Sequence, residues 1–206
     1  MAFISNGTTI LDAGSFASGA VNADQVLIKT LTASSSANLT FVHGTSSVVL
    51  DGTYPIYRFV YTSMHPATNG TSFDVNFRDG DTNYDAVKTT TMFEPIHKED
   101  GTGGELAYQS TQDRAQSTDD QKLLRNCGDG ADETSSGDLW LFNPNDNSKV
   151  TLFIATGAGH HQSDYTITDF VSGYCNTTTP IDGVRFQFDS GNIDSGTIKL
   201  YGIKDS

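Results

Sequence analysis

The chain runs to 206 residues, enough for one well-buried core, and sets 25 acidic side chains against 12 Lys and Arg. A net charge of −13 and a pI near 4.4 leave no basic footprint for nucleic acid or an anionic lipid surface. The opening MAFISNGTTILDAGSF has no basic n-region or apolar run, and no later stretch reaches the length of a membrane span. The expectation is therefore a product made in a cytoplasm, with no nucleic-acid or membrane partner.

Residues 1–25 read as an N-terminal arm that makes contacts, because MAFISNGTTILDAGSFASGAVNA is rich in Gly, Ser and Ala and lacks a long strand pattern. Residues 26–206 read as one β-sandwich domain. Strand signals recur along it without helical periodicity. Val26 to Leu31, Asn38 to His43 and Val48 to Leu50 come first, separated by the small polar clusters TASSSA and GTSS. IYRFVYT, Ile56 to Thr62, carries aromatic and β-branched residues on both faces, as a central strand does.

FDVNF, Phe73 to Phe77, alternates without a fault, and RDGDTNYDA is expected to turn it as a hairpin into VKTTTMF, Val87 to Phe93. Thr111 to Asp138 is polar and Gly-rich around a short apolar QKLLRNC and reads as a long surface excursion with a helical turn or edge strand. Glu105 to Ser110, LWLFN, VTLFIA and Tyr165 to Val171 complete the middle of the chain. In RFQFDSGNIDSGTIKLYGI, Val184, Phe186 and Phe188 alternate with polar residues. Gly191 and Gly196 then suit a turn at positive φ, and Ile198 and Leu200 resume an apolar face, so a closing hairpin is expected. About ten strands predict an all-β, two-sheet antiparallel sandwich of jelly-roll type.

Candidate chemistry is sparse. Asp79, Asp81, Asn83 and Asp85 place oxygen side chains at every second residue, the spacing that opens a calcium loop. Tyr84 stands where an EF-hand needs Gly, and no bidentate Glu follows, so an exposed turn is the preferred reading and calcium the alternative. GDGADE, Gly128 to Glu133, carries the same ambiguity. His160, His161 and Asp164 form a His and carboxylate set, but neighbours on an extended chain point to opposite faces, and a polar loop is preferred.

Cys127 and Cys175 are expected as reduced thiols, with a single bridge the alternative. N-x-[ST] triplets at Asn6, Asn38, Asn69 and Asn176 read as ordinary polar sequence in an unsecreted chain. G-x-S-x-G, HExxH and phosphate-loop patterns are missing from the sequence. A sandwich glycosidase would need facing carboxylates, for which Asp74 and Glu105 are the candidates, so no enzyme is expected. Tyr57, Tyr61, Tyr108, Tyr165 and Trp140 are the aromatics expected outside the core, as a sugar platform, cross-strand pairs or a subunit contact.

The ending SGNIDSGTIKLYGI resembles that of virion structural proteins from marine tailed phages, including those infecting cyanobacteria. The resemblance extends to MAFISNGTTILDAG, LIKTLTASSSANLTFV, LDGTYPIYRFVYTSMHPAT and LWLFNP, and so covers most of the chain. It implies a jelly-roll subunit of the virion without enzymatic activity or cofactor. Its partners would be capsid or tail proteins and further copies of itself, as a homo-oligomer such as a trimer. Head decoration or cement is the expected role, and the acidic surface argues for a position away from packaged DNA. A tail or fibre component that binds a receptor or glycan is the alternative.

Overall fold

The computed structural model describes residues 24–205 and the strand segments 3–5, 8–12 and 15–16. Three short strands open the chain: β1 (Phe3–Ser5), β2 (Thr8–Asp12) and β3 (Ser15–Phe16), in a small antiparallel sheet of their own. The rest of the arm expected over 1–25, up to Ala23, lies outside the described residues.

The main sheet is built from β4 (Gln25–Ser36), β5 (Leu39–Val42), β6 (Ile56–Pro66), β7 (Thr71–Arg78), β8 (Lys88–Lys98) and β9 (Gly104–Tyr108). It continues with β10 (Gln121–Cys127), β11 (Ser135–Phe142), β12 (Thr151–His161), β13 (Tyr165–Cys175), β14 (Gly183–Phe188) and β15 (Ile193–Ile203). No helix occurs among the described residues.

All twelve strands pair antiparallel. One run reads β4-β15-β6-β11-β12-β13-β8-β9 and a second reads β10-β7-β14-β5. They meet at a single pair, Cys127 with His161, where β12 outruns β11 and β10 takes over the vacated edge. The sheet thus curls into an antiparallel, nearly closed barrel.

Alternation sets what fills it. Tyr57, Phe59 and Tyr61 of β6 point inward, as do Phe73, Val75 and Phe77 of β7 and Val184, Phe186 and Phe188 of β14. Rings meet across the interior: Phe41 to Phe59 at 5.2 Å, Tyr61 to Phe73 at 5.2 Å and Phe77 to Phe153 at 4.9 Å between centroids. Such contacts add about 0.5–1.5 kcal/mol each to the burial of the rings.

Several expectations change. The main sheet holds twelve strands rather than about ten. FDVNF and VKTTTMF do not form a hairpin: β7 lies between β10 and β14, and β8 between β13 and β9. The connection instead carries the chain from one wall to the other, and Arg78 anchors its start on Asp182 through two bonds of 2.8 and 2.9 Å. The closing strands also part company, β14 joining β5 and β7 while β15 lies between β4 and β6.

The two glycines do take positive φ, +130° at Gly196 at a register shift within β15 and +74° at Gly191 in the connection between β14 and β15. Asp189 there bonds Ser72 and Lys122 of neighbouring strands, each at 3.0 Å. Val48 to Leu50 is not a strand. Val48 and Leu50 are buried from irregular backbone, and the Leu50 amide is held by His43 Nδ1 at 3.1 Å.

QKLLRNC is not a helical turn but the strand β10, which ends the four-strand run and meets β12 only at Cys127. A register shift between Lys122 and Leu124 lets the consecutive Leu123 and Leu124 both face the core, which hides the alternation. Tyr57 and Tyr61 are buried, contrary to the outward expectation, whereas Tyr108, Tyr165 and Trp140 do lie toward the surface.

Candidate functional site

Strands β11, β12, β13, β8 and β9 present outward rows in register: Phe142, Leu152, Tyr174 and Thr89, then Trp140, Ile154, Ser172 and Thr91. The next row brings Phe170, Phe93 and Tyr108 together, with the two Phe rings stacked at 4.7 Å and 7°. Leu106 follows beside Pro95. Exposure is high for apolar side chains: 72% for Leu106, 63% for Tyr108, 53% for Leu152, 49% for Ile154 and 45% for Phe93.

Between Phe142, Leu152, Ile154, Tyr174, Thr89 and Thr91 the face sinks into a trough of about 600 Å³. On β12, β13, β8 and β9 these rows carry no Asp, Glu, Lys or Arg. The border is charged: Arg58 stacks on Trp140 at 4.8 Å and pairs with Asp138 at 2.7 Å, and the Tyr108 hydroxyl donates to Asp113. A contiguous uncharged face with this many exposed apolar side chains, on so acidic a chain, is the feature that sequence reading least anticipates.

The acidic loop brings Asp79, Asp81 and Asp85 together, with one carboxylate oxygen of each within 4.8 Å of the others. Asn83 is tied to the group through Asp81. Its backbone and side-chain nitrogens donate to Asp81 at 2.6 and 3.3 Å, the bonding of a turn. Burial and the charges of Asp85 and Asp81 hold Asp79 above the usual carboxylate range. A divalent cation there would meet three carboxylates, two of them exposed.

His160 lies at the end of β12 rather than in a loop. Its Nε2 sits 3.0 Å from Glu99 Oε1 and its Nδ1 2.8 Å from Glu133 Oε1, the latter approach lacking hydrogen-bond alignment. Partial burial opposes the imidazolium, but Glu99 and Glu133 outweigh it and raise the pKa of His160. Asp164 completes a His and carboxylate group with Glu133. His161 turns away and stacks on Tyr165 at 4.9 Å, as alternation predicts for neighbours on a strand.

Two further clusters are buried. Inside the shell, Glu94 of β8 lies opposite Asp169 of β13, and Arg125 of β10 reaches Glu94 at 2.5 Å while its amide donates to Asp169 at 2.9 Å. Asp169 Oδ1 has no hydrogen-bond partner. Burial, and then the charge of Glu94, push Asp169 upward. On the outer face of β7, Asp74 is covered by its neighbours, its Oδ1 unpartnered, with Lys122 and Gln187 directly across on β10 and β14.

Burial pushes Asp74 up to about 8, with Lys122 acting against Asp189 and Asp120. Glu105, its proposed glycosidase partner, sits exposed on β9, in the other strand run from Asp74 on β7. Cys127 and Cys175 are both free thiols and buried, burial raising them to about 11 and about 12.

No protein-family model, curated protein or solved structure matches the chain.

Proposed function

We propose that this protein is a non-enzymatic structural subunit of a virion, carried on the outside of the head as a decoration or cement protein. The observation that carries the reading is the uncharged, apolar sheet face on a chain of net charge −13. Acidic walls keep such a chain soluble and away from packaged nucleic acid, and one dry face gives it a place to dock. The runs of sequence similar to virion proteins supply the context. On this reading the barrel-like shell is a jelly-roll sandwich, the eight-strand run forming one wall and the four-strand run the other.

A cement subunit works by burying area across neighbouring proteins. Stable interfaces need about 1,200–2,000 Å² in total, and many weak copies reinforce a shell together. The tail reading has one observation in its favour: a groove of about 650 Å³ lined by Asp51, Tyr54, Asn143, Asn145 and Asp146, which offers a sugar an aromatic face beside amides and carboxylates.

Immunogold microscopy of the parent particle with antibody against this chain tests both. Label over the head is the expected result, and label confined to the tail would replace it with receptor or glycan binding. Unlabelled particles that still contain their other structural proteins would end the virion reading.

A further inference from the structure

The uncharged face carries both a projection and a hollow, and they are offset. Leu106 and Tyr108, its two most exposed side chains, stand on β9 at one side of the face. The trough between Phe142, Leu152, Ile154 and Tyr174 lies on the other side, across β8 and β13. A two-fold axis lying in the plane between two such faces would place each copy's Leu106 and Tyr108 over the other's trough. An isologous contact of that kind needs one surface only, used twice.

We propose that this face is a homodimer interface, formed by packing the β12-β13-β8-β9 wall of one copy against the same wall of a second. The proposal deepens the assembly reading by naming the partner.

Charge decides against most other approaches. Two chains of −13 repel wherever their acidic walls meet, and this wall is where the outward rows carry no charged side chain. Face-to-face sheets pack about 10 Å apart and interdigitate the side chains between them. The area suits a weak pair. Four strands at about 4.8 Å spacing and seven residues at about 3.3 Å each give a patch of roughly 19 by 23 Å, or about 440 Å² when flat. Two copies therefore cover about 900 Å² before side-chain relief is counted, in the range of weak, concentration-dependent interfaces. Arg58 and Asp138, already paired, sit at the border as a polar rim.

Sedimentation velocity or light scattering on the purified full chain, from about 1 to about 100 µM, reads the result directly. A dimer mass is expected at the upper end. Leu106→Lys and Ile154→Glu, each at an exposed position, are expected to return the monomer with unchanged circular dichroism and melting temperature.

Leu106→Cys mixed with Leu152→Cys is expected to give an intermolecular disulfide under mild oxidation, the native thiols being buried. A monomer throughout the range, a trimer mass, or a dimer that survives both charge substitutions would overturn the proposal. The virion reading fails separately: a dimer that is missing from particles would remove that reading and leave this one standing.

Discussion

Replacing Asp74 by Asn tests whether the outer polar layer of β7 holds a protonated carboxyl at neutral pH. Asp74 is 4% exposed, and no hydrogen-bond donor reaches its Oδ1. Burial, opposed by Lys122 and reinforced by Asp189 and Asp120, places its pKa near 8 in the folded chain. In the unfolded chain an Asp titrates near 3.9. Between those two values the native state holds a proton that the unfolded state has released, so stability falls as pH rises. The contribution is fully present below about pH 4 and lost by about pH 8.

At 1.36 kcal/mol per pH unit the ceiling is about 5 kcal/mol, and relaxation around a buried charge reduces it. An amide keeps the shape of the neutral acid and cannot ionise. Urea unfolding of both chains across pH 4 to 9 should show equal stability near pH 4. By pH 8 the Asp74→Asn chain should be ahead by about 2 to 4 kcal/mol. Taking the difference between the two chains cancels every other titrating group. A difference that does not change with pH, or an Asn variant that is weaker at pH 8, would refute the reasoning.

Arg125→Met removes the cation that Glu94 and Asp169 share, and breaking a buried pair in this way costs about 3–5 kcal/mol. Because Asp169 is raised, much of that loss should be recovered near pH 5, and an equal loss at pH 5 and pH 8 in the same urea assay would exclude a titrating pair. At the acidic loop, calcium and magnesium at equal concentration should shift the melting temperature alike, as screening of Asp79, Asp81 and Asp85. A calcium-specific rise that disappears in Asp85→Asn would instead identify a binding site and give its affinity from the concentration dependence.

How far the sequence reaches is seen in particular strands. Wherever apolar and polar residues alternate strictly, as in FDVNF and VRFQF, both the strand and its inward face are legible, because side-chain direction has a period of two. Pairing is a different matter. A turn sequence rich in Gly and Asp fixes local backbone, and DSGNIDSG does take the expected positive φ, yet it says nothing about which edges the flanking strands will find. Here both supposed hairpins connect opposite walls. The strand β10 reads only as a helical turn or edge strand because its bulge turns two successive Leu residues inward, and β12 reads short because its GAGHH end lacks bulky residues.

Small residues there have a reason. Gly157 and Gly137 sit where an added Cβ would come within 2.7 and 2.6 Å of the Tyr61 hydroxyl, so they form the notch in which that buried ring ends and donates to Thr156 O at 3.1 Å. Composition suggests a loop, while packing demands a strand without side chains.

The buried acids show a signal that was present and unread. In TMFEPI, Glu94 falls in phase with Met92 and Ile96, and in ITDFV, Asp169 falls in phase with Ile167 and Val171. A carboxylate in the inward phase of two separate strands is costly alone, so each requires a partner, and the two partners available are each other and a basic residue on a third strand. Arg125 sits on the strand whose alternation is hidden by the bulge. The same logic accounts for the exposed face. Phe93, Leu106, Leu152 and Ile154 lie out of phase with the core on their own strands, so alternation alone assigns them to solvent. An apolar residue out of phase once is ordinary. Four of them on one face, in successive rows of neighbouring strands, make a surface, and only the pairing order, which the sequence does not carry, brings them together.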